Sequence, residues 1–147
     1  RLMDMHTPTL DQAILARFIA DQHLQRHVTH MKRIYSRRRK LLIRSLSETF
    51  GNRVHVSGDA AGLHLIAGFS GQVFDKELSG ALAGRGVRIY PAEKYAIVKG
   101  RFEDRLIMGF GDVAEPQIPE GVRRIVVVRS VCQDGVFHPL LEVPHPP

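Results

Sequence analysis

The stretch HMKRIYSRRRKLLIRSL, residues 30–46, decides how the rest of the chain is read. Between Arg26 and Arg44 there are eight Lys or Arg and no Asp or Glu. Such a run is either a surface that tracks phosphates or the solvated back of an amphipathic helix. The apolar positions favour the second. Leu24, Val28, Met31, Tyr35, Leu42 and Leu46 recur at three-, four- and seven-residue steps, which places them on one helical stripe. At 100° per residue, Arg26, Arg33, Arg37, Lys40 and Arg44 fall opposite that stripe. That outer face carries no aromatic or amide side chains suited to reading bases. Arg38 is the exception. It falls near the apolar stripe, so it must snorkel or meet a carboxylate from another layer, and a structural ion pair is expected.

Working outward, residues 24–50 predict one long helix, stopped by Gly51 and Asn52. Before it, Thr7 and Pro8 open a first helix carrying Leu10, Ile14, Phe18 and Ile19. After it the period changes. RVHVSG alternates and predicts a strand, GDAAG a turn, and LHLIAGF a second strand that is apolar except for His64. His64 is expected to be a hydrogen-bonded core histidine. A helix is expected over GQVFDKELSGALAGRG, ended by Gly84 or Gly86, then short strands at VRIYP and at 95–98, and a clear strand at RLIMGFG. A last helix carries Ile118, Val122, Ile125 and Val126. The fold class is therefore α+β: a small, mostly antiparallel sheet with helices packed on it, preceded by a long helix. The expected organisation is a linker helix at 1–22, a domain at 23–130 and an irregular tail at 131–147.

Length and composition bound the function. The chain has 147 residues, a charge of +6 and a pI near 10, which points to an anionic partner or to an acidic counterpart elsewhere. No apolar run approaches bilayer length and no signal-peptide pattern is present, so a cytoplasmic location with no membrane contact is expected. The single cysteine, Cys132, gives no zinc spacing. His23, His27 and His30 share a helix, but no further ligand stands beside them, so no metal site is expected. GDAAGLHL lacks the spacing of a phosphate loop and leads into a strand rather than a helix. The first residue is Arg1 rather than Met, and the sequence reads as a piece of something longer or as a processed or trimmed chain.

Four phrases, in order, carry a family likeness: TLDQAILARFIADQHLQRHVTHMKRIYSRRRKLLIRSL, GDAAGLHLIAGF, LAGRGVRIYP and RLIMGFGDVAEPQIPEGVRRI. Together they resemble the C-terminal small domain of fold-type I pyridoxal-phosphate (PLP) aminotransferases. The version most similar is that of MocR-type members of the GntR transcriptional regulators, where a winged helix-turn-helix is fused to an aminotransferase-like effector domain. The likeness covers about residues 7 to 127. It implies that DNA is read only by an N-terminal domain outside this sequence, and that the basic run belongs to the helix bridging two subdomains. It also implies that Arg105, at the start of the last strand, grips the carboxylate of an amino-acid effector, with Arg101 as the other candidate. A guanidinium suits that task because it pairs bidentately with a carboxylate.

The same resemblance implies a missing large domain that carries the PLP, and a parent that is a homodimer. None of Lys32, Lys40, Lys76, Lys94 and Lys99 sits in the family's Schiff-base context. No catalytic residue is therefore expected here, and no cofactor is expected on this chain alone. Two other readings remain: the small domain of a genuine aminotransferase, and a free-standing basic module for nucleic acid.

Overall fold

The computed structural model describes residues 8–58 and 62–133, with side chains through Val126. The described residues divide into two compact units, one up to Arg37 and the other from Arg38 onward. Helix α1 (Thr9–Ala20) and the first part of α2 (His23–Phe50) lie in the first unit. Pro8 takes the cap position of α1 without a side-chain cap bond, and Thr7 lies outside the described residues. Gln22 adopts a left-handed φ of 60°, which breaks α1 from α2. Arg17 Nε donates to Asp21 at 2.8 Å and Arg26 Nη2 donates to the Asp21 carbonyl at 2.6 Å, closing the corner. No residue of α1 is buried, and its apolar positions Leu10, Ile14, Leu15, Phe18 and Ile19 are all exposed. Leu24, placed by its spacing on the apolar stripe of α2, is exposed too.

The second unit holds the core. Over its last turns α2 buries Leu42 and Leu46, as the periodicity predicts, together with Ser45 and Phe50. It ends at Phe50, where Gly51 takes a positive φ of 55° that L side chains resist. Strands β1 (Val54–Ser57), β2 (His64–Phe69) and β3 (Arg105–Gly109) form one sheet in the order β1-β2-β3, both pairings antiparallel. The turn expected at GDAAG falls largely on 59–61, outside the described residues. Helix α3 (Lys76–Gly84) follows β2, and α4 (Gln117–Gln133) follows β3. The tail expected to be irregular lies outside the described residues from 134 onward.

Three local expectations differ. The helix after β2 starts at Lys76 rather than Gly71, because Asp75 caps it by accepting the Leu78 N–H at 2.8 Å. The strand expected at VRIYP is reduced to a single bridge, Pro91 to Leu106. Proline has no N–H to continue a ladder. The brief strand expected at 95–98 does not form: Tyr95 closes a 3-10 turn at Ala92–Tyr95, and 96–98 are irregular.

One sheet face is packed. Leu65, Ala67 and Phe69 of β2 and Leu106 of β3 are buried, together with Leu78 and Leu82 of α3 and Ile118, Val122 and Ile125 of α4. Phe69 meets Phe50 edge-on at 5.0 Å and Phe74 at 5.3 Å, so strand, long helix and the approach to α3 share one aromatic junction. The alternation of a strand sends the intervening residues to the other face.

Candidate functional site

That other face carries Arg105. Its Cα partner is Gly68, and Gly68 in turn faces His55 of β1. The next row is Ser57, Ile66 and Ile107, and the last is His64 opposite Gly109. Ile66 and Ile107 are half-buried, while His55 and His64 are exposed. His64 is thus not the core histidine expected from its apolar strand. It stands at the first position of β2, on the uncovered side, with its ring over Gly109; a Cβ at Gly109 would lie 3.2 Å from His64 Cδ2.

Arg105 is held from two sides. Its guanidinium carbon sits 4.9 Å from the centre of the Phe102 ring, and its Nε lies 3.4 Å from Asp104 Oδ1. The side chain is still 42% exposed, so part of it is open to solvent. Arg101, the other candidate, is exposed on the loop before the strand rather than mounted on it.

The loop ahead of Arg105 is organised by a residue that the sequence did not single out. Glu93 accepts the Gly100 N–H at 2.8 Å and the Phe102 N–H at 3.1 Å. Lys99 Nζ donates to the Glu93 carbonyl at 2.9 Å. The Gly100 N–H above all, then those of Phe102 and Arg101 and the Lys99 charge, hold the Glu93 carboxyl below the usual carboxylate range, against the opposing effect of partial burial. A lone acid in a loop gives no sequence signal of this kind, because its partners are backbone amides. On the same loop Tyr95, Ile97 and Val98 are exposed, and the carbonyl of Tyr90 accepts the Ile107 N–H at 2.8 Å.

Arg38 fixes the other end of the Arg105 strand. Its Nη1 donates to the carbonyl of Gly111, just beyond β3. The expected carboxylate partner is thus replaced by a backbone oxygen, which a half-buried guanidinium reaches without bringing a second charge inside. On α2, Arg26, Arg33, Arg37, Lys40 and Arg44 are exposed, and Arg44 pairs with Glu48 at 2.7 Å. His23, His27 and His30 are exposed, and among the described residues no three metal-binding side chains cluster. Lys32, Lys40, Lys76, Lys94 and Lys99 are all exposed. Among the described residues Arg105 is thus a half-open guanidinium at a strand start. No described helix is long and apolar enough to cross a membrane.

The class of the fold follows from known structures. The multiple substrate aminotransferase of Thermococcus profundus superposes with a TM-score of 0.74 at 22% identity, covering 90% of this chain and 33% of that one. LysN, the α-aminoadipate aminotransferase of Thermus thermophilus, gives 0.71 at 19%, with 90% and 34% covered. The chain has an aminotransferase-like α+β fold.

Among curated proteins the likeness is to regulators. YhdI, an HTH-type transcriptional regulator of Bacillus subtilis, is 28% identical over 125 residues, 85% of this chain and 26% of that protein. The probable rhizopine catabolism regulatory protein MocR of Rhizobium meliloti is 26% identical over 121 residues, 82% of this chain and 24% of its own length. The chain thus spans about a quarter of the length of the curated relatives it matches, and it is similar to the aminotransferase-like C-terminal domain of MocR-type regulators. No family model matches it.

Proposed function

We propose that this chain is the ligand-capping, C-terminal part of an aminotransferase-like effector region in a MocR-type transcriptional regulator. The reading rests on one conjunction. The similarity to HTH-type regulators runs through most of the chain, and the same residues fold as an aminotransferase small domain with a half-open arginine at a strand start. In the parent, a winged helix-turn-helix reads DNA and a large domain carries PLP, which supplies an aldehyde to capture amines when bound. This chain's share is to bind and orient. Arg105 takes the carboxylate of an amino-acid effector, Phe102 and Asp104 keep the guanidinium in place, and Arg38 and Glu93 fix the two ends of the segment that carries it. The parent works as a homodimer in the cytoplasm. Preferential binding of effector to a closed arrangement shifts the protein between DNA-binding states.

The genuine aminotransferase is the rival with the same fold and the same arginine, and the regulator relatives weigh against it. The deciding experiment uses the full-length protein and the DNA upstream of its own reading frame. Amino acid together with PLP should change the DNA affinity, and Arg105→Ala should abolish the change while leaving ligand-free DNA binding intact. A wild-type protein that turns over amino acids and ignores that DNA would overturn the regulator reading.

A further inference from the structure

The face that carries Arg105 has a second polar end. Across three successive register rows it presents His55, Gly68 and Arg105, then Ser57, Ile66 and Ile107, then His64 and Gly109. None of these eight positions is acidic, and the nearest carboxylate on β3's approach, Asp104, is engaged on the Nε side of Arg105. Ile66 and Ile107 face each other as a half-buried apolar pair between the two polar ends. The His64 ring lies along the sheet rather than away from it. A Cβ on Gly109 would meet its Cδ2 at 3.2 Å and its Nε2 at 3.4 Å, close enough that the ring would have to shift by a few tenths of an ångström.

We propose that His64 is a second anchor of the effector site, and that the effector is a long amino acid with a second carboxylate. One carboxylate pairs with Arg105, the methylenes lie over Ile66 and Ile107, and the far carboxylate accepts an N–H from the His64 imidazole. This deepens the function proposed above and rests on Arg105 being the carboxylate grip. Charge complementarity selects the occupant: the rows carry donors at both ends and no acidic side chain that would repel either carboxylate. The span selects its length. Four residues of strand separate the rows of Arg105 and His64, about 14 Å at the backbone. With a hydrogen bond at each end, an extended seven-carbon diacid comes nearer to that span than a five-carbon one.

The test uses the full-length protein with PLP and two probes of equal chain length, L-2-aminopimelate and L-2-aminoheptanoate, which differ only in a terminal carboxylate against a methyl. Calorimetric titration should show the diacid binding at least tenfold more tightly. His64→Leu should bring the diacid down to the level of the monoacid without changing the monoacid, and its thermal midpoint should match wild type because His64 is exposed. Equal affinity of wild type for both probes, no binding of either, or a His64→Leu loss shared by both, overturns the second anchor. Arg105→Ala should weaken both probes. If it leaves both unchanged, the Arg105 reading itself falls, a result distinct from failure of the His64 proposal alone.

Discussion

The two faces of one small sheet are built to different ends. On the covered face Leu65, Ala67, Phe69 and Leu106 are almost wholly removed from water, under Leu46, Leu82 and Val122 from three helices. On the open face, at the alternate positions of the same strands, stand His55, His64 and Arg105 around a half-buried isoleucine pair. The same backbone ladder thus carries both the fold and the candidate site. The period of two lets substitutions on one face be nearly silent on the other.

The largest effect expected from this contrast is on the covered face. Leu46→Ala, at a fully buried position, should destabilise the chain by about 2–5 kcal/mol in denaturant unfolding. A loss below about 1 kcal/mol would mean that α2 does not pack as described. Arg105→Ala is the mirror experiment. It should cost about 1.5–3 kcal/mol of amino-acid affinity in the full-length protein, the scale of a charge-assisted hydrogen bond. The unfolding midpoint should hardly move, because the side chain is 42% exposed. A variant that loses stability and keeps affinity would reverse the assignment of the two faces. Arg38→Ala lies between them. It removes a half-buried donor and leaves the Gly111 carbonyl without that partner, so a stability loss of about 1–3 kcal/mol is expected from thermal melts.

Much of the covered face was legible in the sequence, and the reason is periodicity. Leu42, Leu46, Ile118, Val122 and Ile125 were marked by helical spacing, and all are buried. Spacing identifies a helix but not what covers it: Leu10, Ile14, Phe18 and Leu24 show the same pattern and are exposed. On β2 the phase could not be read, because Ile66 on the open face is as apolar as Leu65 and Ala67 on the packed one. That ambiguity put His64 on the wrong side. Arg105 came from resemblance to a family rather than from its own context, since an arginine beside Asp104 looks like any surface pair. Glu93 was invisible for a different reason. Its partners are the amides of Gly100 and Phe102, and every residue except proline offers an amide.

Glu93 gives the smallest effect and the sharpest probe of how the open face is kept in shape. Its carboxylate gathers the loop whose Phe102 ring lies against Arg105. Because the folded carboxyl titrates below its ordinary range, the ionised form is the one that the loop stabilises. The contribution is therefore complete above the ordinary carboxylate pKa and is lost as pH falls through the depressed folded value. Glu93→Gln keeps an acceptor oxygen and removes the charge, so it should mimic the acid form at every pH. Hydrogen exchange reads this directly: at neutral pH the Gly100 and Phe102 amides should exchange faster in the variant than in wild type. On acidification the difference should close while the β2–β3 ladder stays protected in both. Equal protection of the two amides at neutral pH would show that the loop stands without the carboxylate, and the hold on Arg105 would then have to come from Phe102 and Asp104 alone.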